Sequence, residues 1–175
     1  EHPELARSYN NLGYTYGNLG DHPRALEYHQ KALSIREKAL PPEHPDLAFS
    51  YNNLGSTFGH QGNHPRALEY HMKALAICEK ALPPDHPDLA RSYNNLGCTY
   101  DYLGDYRKAL EYKQKALAIW EKVLPSDHPD LATSYNNLGG TYHHLGNHRK
   151  ALEDLQKSLA IREKSLPLDH PDLAL

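Results

Sequence analysis

The sequence has no Lys/Arg cluster, no long apolar run, few cysteines and no large excess of either charge, and each absence removes a class of function. With 19 basic and 22 acidic side chains the net charge is −3. The basic patch that a phosphate backbone requires is missing, so no nucleic acid is expected as a partner. No stretch approaches the ~20 apolar residues needed to cross a bilayer, and the first residues lack a charged-then-apolar leader pattern, so a soluble chain with no membrane partner is expected. Cysteine occurs only as Cys78 and Cys98, at positions that other residue types fill elsewhere in the chain. Neither a disulfide framework nor a zinc site is expected, and reduced thiols in the cytoplasm fit best. A Gly-rich phosphate loop, a Ser/His/Asp set and a Cys/His nucleophile pair are all missing. No catalytic residues, no enzyme activity and no cofactor are therefore expected.

What is present is repetition. The tripeptide His-Pro-Glu/Asp starts at His2, His44, His86, His128 and His170, a constant step of 42 residues. The run Ser-Tyr-Asn-Asn-Leu-Gly recurs from Ser8, Ser50, Ser92 and Ser134, and Ala-Leu-Glu from Ala25, Ala67, Ala109 and Ala151. A period held this strictly means that one structural unit has been duplicated along the chain. The repeats are 1–43, 44–85, 86–127 and 128–169, with 170–175 opening a fifth, so the chain reads as a segment of a longer array. No polar capping face follows Leu166, and the last repeat is expected to leave apolar surface open to end-to-end self-association.

Each repeat reads as two helices, A and B. Pro3, Pro45, Pro87 and Pro129 fall where proline is tolerated, at the first helical position, with an acidic residue next to favour the positive end of the helix dipole. In helix A, Leu5, Tyr9, Leu12, Tyr16 and Leu19 are spaced by four, three, four and three residues, which predicts one buried stripe. Gly20 then supplies a C-terminal stop, and Asp21, with Asn63, Asp105 and Asn147 in the sister repeats, an N-cap for helix B. Along helix B, Ala25, Leu26, Tyr28, Ala32, Leu33, Ile35, Ala39 and Leu40 cover about half the circumference, so this helix is expected to be wedged between neighbours. Glu27/Lys31 and its three counterparts mark a solvated outer face. Prolines at 41, 42, 83, 84, 125 and 167 end helix B.

Tyr9-x2-Leu12-Gly13-x2-Tyr16, then Ala25 and Ala32, then proline, resembles the tetratricopeptide signature with Tyr in place of its Trp. The usual repeat of that family has 34 residues, and here each helix is one turn, about 6 Å, longer. The long repeat, the Asp-His-Pro-Asp-Leu-Ala opening and the Ala-Leu-Ala-Ile-x-Glu-Lys helix B are similar to kinesin light chains and nephrocystin-like arrays. The resemblance implies an all-α fold, a right-handed superhelical α-solenoid of helix-turn-helix repeats.

In arrays of this kind helices A line a concave groove. The residues opposite the stripe would face it: Arg7, Asn10, Tyr14 and Asn18 with Asn11 at the edge, then Phe49, Asn52, Ser56, His60 and Asn53. Repeat three offers Arg91, Asn94, Cys98, Tyr102 and Asn95, and repeat four Thr133, Asn136, Gly140, His144 and Asn137. Asparagine carries both a donor and an acceptor, so such a row can hold an extended peptide backbone while variable neighbours set specificity. In peptide-binding relatives an Asn matching Asn11, Asn53, Asn95 and Asn137 contacts ligand backbone, and the resemblance implies the same here. Equally, these amides could bond neighbouring helices. Only Arg7 and Arg91 add positive charge, so a strong carboxylate clamp is not expected. The leading function is a non-catalytic scaffold or adaptor that binds a peptide or protein partner, and the alternative is a structural or self-associating spacer. His-Pro-Asp also resembles the tripeptide of chaperone J-domains, but its place at every repeat start has a capping explanation. His143, His144 and His148, like His60 and His64, read as polar turn residues and not as metal ligands. Arg36, Cys78, Trp120 and Arg162 share one position in helix B, whose tolerance leaves partial exposure and a loose seam both open.

Overall fold

A computed structural model describes residues 3–165. Among these residues the chain forms eight α-helices: α1 (Pro3–Asn18), α2 (His22–Ala39), α3 (Pro45–His60), α4 (His64–Ala81), α5 (Pro87–Tyr102), α6 (Tyr106–Val123), α7 (Pro129–His144) and α8 (His148–Ser165). The odd-numbered helices are the A helices and the even-numbered ones the B helices. The fifth repeat expected to open at 170–175, and the proline expected to stop α8 at Pro167, lie outside the described residues.

Local chemistry sets these boundaries. Three of the A helices begin with a histidine N-cap. Nδ1 of His44, His86 and His128 accepts from the backbone N–H of Asp46, Asp88 and Asp130, each at 3.1 Å. Proline follows the cap in each case, where its missing N–H costs nothing. Gly20, Gly62, Gly104 and Gly146 all have φ between +74° and +79°, the left-handed conformation that ends a helix without a Cβ penalty. The turn closes as expected of such an end, with Gly20 N–H donating to the Gly17 carbonyl at 3.0 Å and Asp21 N–H to the Tyr16 carbonyl at 2.9 Å. Asp21, Asn63 and Asp105 then cap the B helices. Leu40, Leu82 and Leu124 leave the helix in extended conformation, as a residue followed by proline prefers.

The chain forms two compact units, Glu1–Pro83 and Pro84–Leu175. In the first, α1 packs along α2 and α3 along α4, while α3 also lies against α2. The second repeats this plan with α5 on α6, α7 on α8, and α7 against α6. An A helix inside a unit therefore has two buried faces. Its Leu face meets the preceding B helix: Leu47 and Leu54 are buried, as are Leu131 and Leu138. Its second face, Ala6, Asn10 and Gly13 in α1, meets its own B helix. This corrects the single-stripe expectation. In α1, which has no preceding helix among the described residues, Leu5 and Leu12 are each 42% exposed, and it is Ala6, Asn10 and Gly13 that are buried.

The second face works by close approach. A Cβ on Gly13 would lie 2.7 Å from the His29 ring, and one on Gly97 2.7 Å from Cγ of Lys113. Glycine at this position lets a large B-helix side chain lie across the A-helix backbone. His29, His71 and Lys113 are accordingly buried, whereas Ala39, expected in the apolar arc, is exposed. Along the opposite edge of the first three hairpins runs an aromatic stack, in the first Tyr9 and Tyr16 against Tyr28 with ring centroids 5.9 and 5.4 Å apart. Lys31 and Arg24 lie over these rings at 5.2 and 4.9 Å, so the outer-face cations serve packing as well as solvation.

Candidate binding face on the A helices

In each unit the two A helices touch one another, and no contact joins the two B helices among the described residues. The A helices thus form the inner, more closely spaced side, and the candidate residues fall on or just beneath it.

In the first unit, Arg7, Asn11, Asn18 and His60 are exposed, with Tyr14 69% and Phe49 44% exposed; Asn53 and Ser56 are half-buried. Between α1 and α3 lies a cleft of about 420 Å³ lined by Glu4, Arg7, Asn10, Asn11, Arg36, Asp46 and Phe49. Asn10 and Asn52 do not stand out from this face as expected: they are buried, and they form its floor. The Asn10 amide satisfies both its neighbours when Nδ2 donates to His29 Nδ1 at 3.3 Å and Oδ1 accepts from Arg36 at 2.7 Å. Arg36 continues into the next repeat, donating to Ser50 Oγ at 2.7 Å and to the Asp46 carbonyl at 3.1 Å, beneath the Phe49 ring. The variable helix-B position is therefore a seam residue that plugs the junction with the next A helix. Trp120 is buried there and Arg36 is half-buried, and Cys78 at the same repeat position is buried as well.

In the second unit Arg91 and Tyr102 are exposed, Tyr102 by 73%, while Asn94, Asn95, Cys98, Asn136 and Asn137 are half-buried. Arg91 is held by Asp88 at 3.1 Å. Asn137 Nδ2 donates to Asn94 Oδ1 at 3.3 Å, so one of the outer amides is also tied across neighbouring A helices. Thr133, Gly140 and His144 are exposed, and the His144 ring stacks on Tyr106 at 4.6 Å. His22 and His60 form the equivalent stack in the first unit at 5.5 Å. These ring pairs, each joining the start of a B helix to the end of the next A helix, edge the face and were not visible in the sequence. His143 lies 5.1 Å from His148 by ring centroid. Among the described residues no group of three or more His, Cys, Asp or Glu side chains could hold a metal ion.

The electrostatics beneath the face are set by burial. Desolvation pulls His29 and His71 down to about 4, so both rings are neutral near pH 7. Burial pushes the Cys98 thiol up, against the opposing influence of Lys113, which disfavours the thiolate a nucleophile would need. Lys113 itself, unremarked in the sequence, is 3% exposed and ion-paired with Asp101.

Comparison with known proteins places this architecture. The tetratricopeptide repeat family matches residues 4–80, 46–122 and 102–164. None of the curated proteins matches the chain. Among solved structures, a kinesin light chain-like protein with nearly identical TPR-like repeats from Podosopora anserina superposes with a TM-score of 0.85 at 31% identity, over 99% of this chain and 82% of that one. BtubC (BKLC) from P. vanneervenii gives 0.83 at 26% identity, over 97% and 69%. The apo form of RapI gives 0.82 at 25% identity, over 94% of this chain and 58% of that one. The chain belongs to the tetratricopeptide repeat family, and its long helical hairpins are similar to those of kinesin light chain-like arrays.

Proposed function

We propose that this chain is a non-catalytic interaction scaffold, acting as an adaptor in the cytoplasm, that holds an extended peptide of a protein partner along the inner side of its A helices. The observation that carries the reading is the exposure of Tyr14 and Tyr102, 69% and 73%, on the helix faces that also carry the amides of Asn11 and Asn95. Large exposed rings next to amide donors and acceptors are what an extended peptide uses, rings for side-chain contact and amides for its backbone. Arg7, Asn11, Tyr14, Phe49, Asn53, Arg91, Asn95, Tyr102, Asn137 and His144 are the proposed contacts, and Asn10, Asn52, Asn94 and Asn136 support them from beneath. The cytoplasmic assignment is supported by the free cysteines, and among the described residues no helix is long and apolar enough to cross a membrane. The test is capture of partners from a cell extract by the intact chain and by the Asn53→Ala/Asn95→Ala and Tyr14→Ala/Tyr102→Ala variants. Loss of one partner in both variants supports the reading; a partner retained by both moves the contact elsewhere.

A second reading, end-to-end self-association, is favoured by the exposed Leu5 and Leu12 of α1 and Leu152, Leu155 and Leu159 of α8. Inside each unit an adjoining repeat of the same chain covers the equivalent faces. Light scattering that finds only monomer up to millimolar chain removes it.

A further inference from the structure

Near-identical repeats create a problem that hydrophobic packing does not solve. All four helical hairpins present the same Ser-Tyr-Asn-Asn-Leu-Gly and Ala-Leu-Glu surfaces to each other. An A helix could therefore accept the B helix of another repeat, or of another copy, with nearly the same apolar fit. Discrimination has to come from hairpin positions that differ. Two of these face one another: the residue lying over the glycine, His29, His71, Lys113 or Leu155, and the A-helix position four beyond that glycine, Gly17, Gly59, Asp101 or His143.

We propose that the Asp101–Lys113 pair is a pairing lock, which admits α6 to α5 and rejects every other combination of A and B helices at these two positions. Lys113 is buried and ion-paired with Asp101. It also donates to Thr141 Oγ1 at 2.9 Å and to the Asn137 carbonyl at 3.0 Å, and the Thr141 hydroxyl donates in turn to Asp101 at 3.1 Å. The ammonium, carried by α6, is thus satisfied from two neighbouring helices, α5 and α7. Thr and Asn recur at these positions in every repeat, so the α7 half of the cage is generic and the selective partner is Asp101. Placed over α1 or α3, Lys113 would meet Gly17 or Gly59 and leave a buried cation without a counter-charge. Placed beneath α2, α4 or α8, Asp101 would meet His29, His71 or Leu155. A buried ion pair adds little net stability over an apolar pair, but breaking one is costly, and that asymmetry turns it into a device that selects partners.

The test is refolding of the full chain from urea at tens of micromolar, followed by dilution and light scattering, which separates monomer from hairpin-exchanged oligomers that dissociate only on unfolding. Asp101→Gly/Lys113→His installs the repeat-two residues and removes the lock; the exchanged fraction is expected to rise about tenfold over the native chain. Gly17→Asp/His29→Lys instead copies the lock into repeat one, where Thr57 and Asn53 stand as Thr141 and Asn137 do. That makes α1 compatible with α6 and α5 with α2, so the exchanged fraction is again expected to rise although no lock has been broken. A rise in both variants supports the proposal. A rise in the first alone reports weakened packing and overturns it, as does no rise in either, and the second variant decides the matter if the first fails to fold.

Discussion

Gly13 lies beneath His29 so closely that a Cβ on it would sit 2.7 Å from the ring, and the same geometry recurs with Lys113 over Gly97 and Leu155 over Gly139. Helix propensity and packing therefore pull in opposite directions at these glycines. Alanine at an exposed helical position gains about 1 kcal/mol over glycine, while overpacking a tight contact costs about 1–3 kcal/mol. Gly13→Ala is expected to destabilise by about 1 kcal/mol because the ring can shift. Gly97→Ala is expected to cost about 2–3 kcal/mol, since the Ala109 carbonyl, a backbone atom, lies 3.2 Å from the new carbon. Gly140→Ala, with nothing within 4 Å, is expected to stabilise by about 0.5–1 kcal/mol. Urea midpoints at constant m value check all three, and destabilisation by Gly140→Ala would defeat the packing account.

His29 and His71 make the first unit sensitive to mild acid. Their folded values of about 4 lie below the ordinary 6.5 of an unfolded histidine, so between these limits the unfolded chain binds more protons than the folded one. Stability is complete above about pH 6.5 and is lost as pH falls towards 4. At pH 5 each histidine is expected to remove about 1–2 kcal/mol relative to pH 7. His71→Leu, the residue type of repeat four, is expected to flatten its share of this slope. An unchanged difference between urea midpoints at pH 7 and pH 5 in His29→Leu/His71→Leu would assign the acid sensitivity to other groups.

The period, the helix starts and stops and the Leu face of the A helices were legible because each is written in residues whose preferences are local: proline, glycine, a capping acid, leucine at helical spacing. The second buried face of the A helices was not, because it is written in Ala6, Asn10 and Gly13, whose burial depends on how closely a particular B helix approaches. The same cause divides the asparagine pairs. Asn10 and Asn11 are adjacent and chemically identical, and only the tertiary position of His29 and Arg36 turns the first into floor and leaves the second on the surface. Lys113 could not be recognised as buried, since a lysine in a helix otherwise lined with Lys and Glu reads as solvated until Asp101 and Thr141 are placed around it.

The histidine caps give a sharp test of local structure. His86 Nδ1 replaces the side-chain oxygen that serines and aspartates supply elsewhere, and His86→Ala is expected to cost about 1 kcal/mol. That corresponds to a fall of about 2–4 °C in Tm for a chain of this size. His86→Asn restores an acceptor at the same reach and is expected to recover most of the loss. Equal Tm values for the alanine and asparagine variants would show that the imidazole contributes by packing and not as a cap.

Asp101 and Lys113 differ in what each leaves behind when its partner is removed. Lys113 is 3% exposed and Asp101 22%, so the ammonium has no route to water while the carboxylate keeps one. Asp101→Gly strands a buried cation and is expected to cost about 3–5 kcal/mol, whereas Lys113→Met, which fills the same space, is expected to cost less, about 1–3 kcal/mol. The double variant Asp101→Gly/Lys113→Met, with no charge left to strand, is expected to be more stable than Asp101→Gly alone. Coupling of this sign and size, read from a double-mutant cycle in urea, would establish that Asp101 and Lys113 act as one unit; additive losses would mean that they contribute separately.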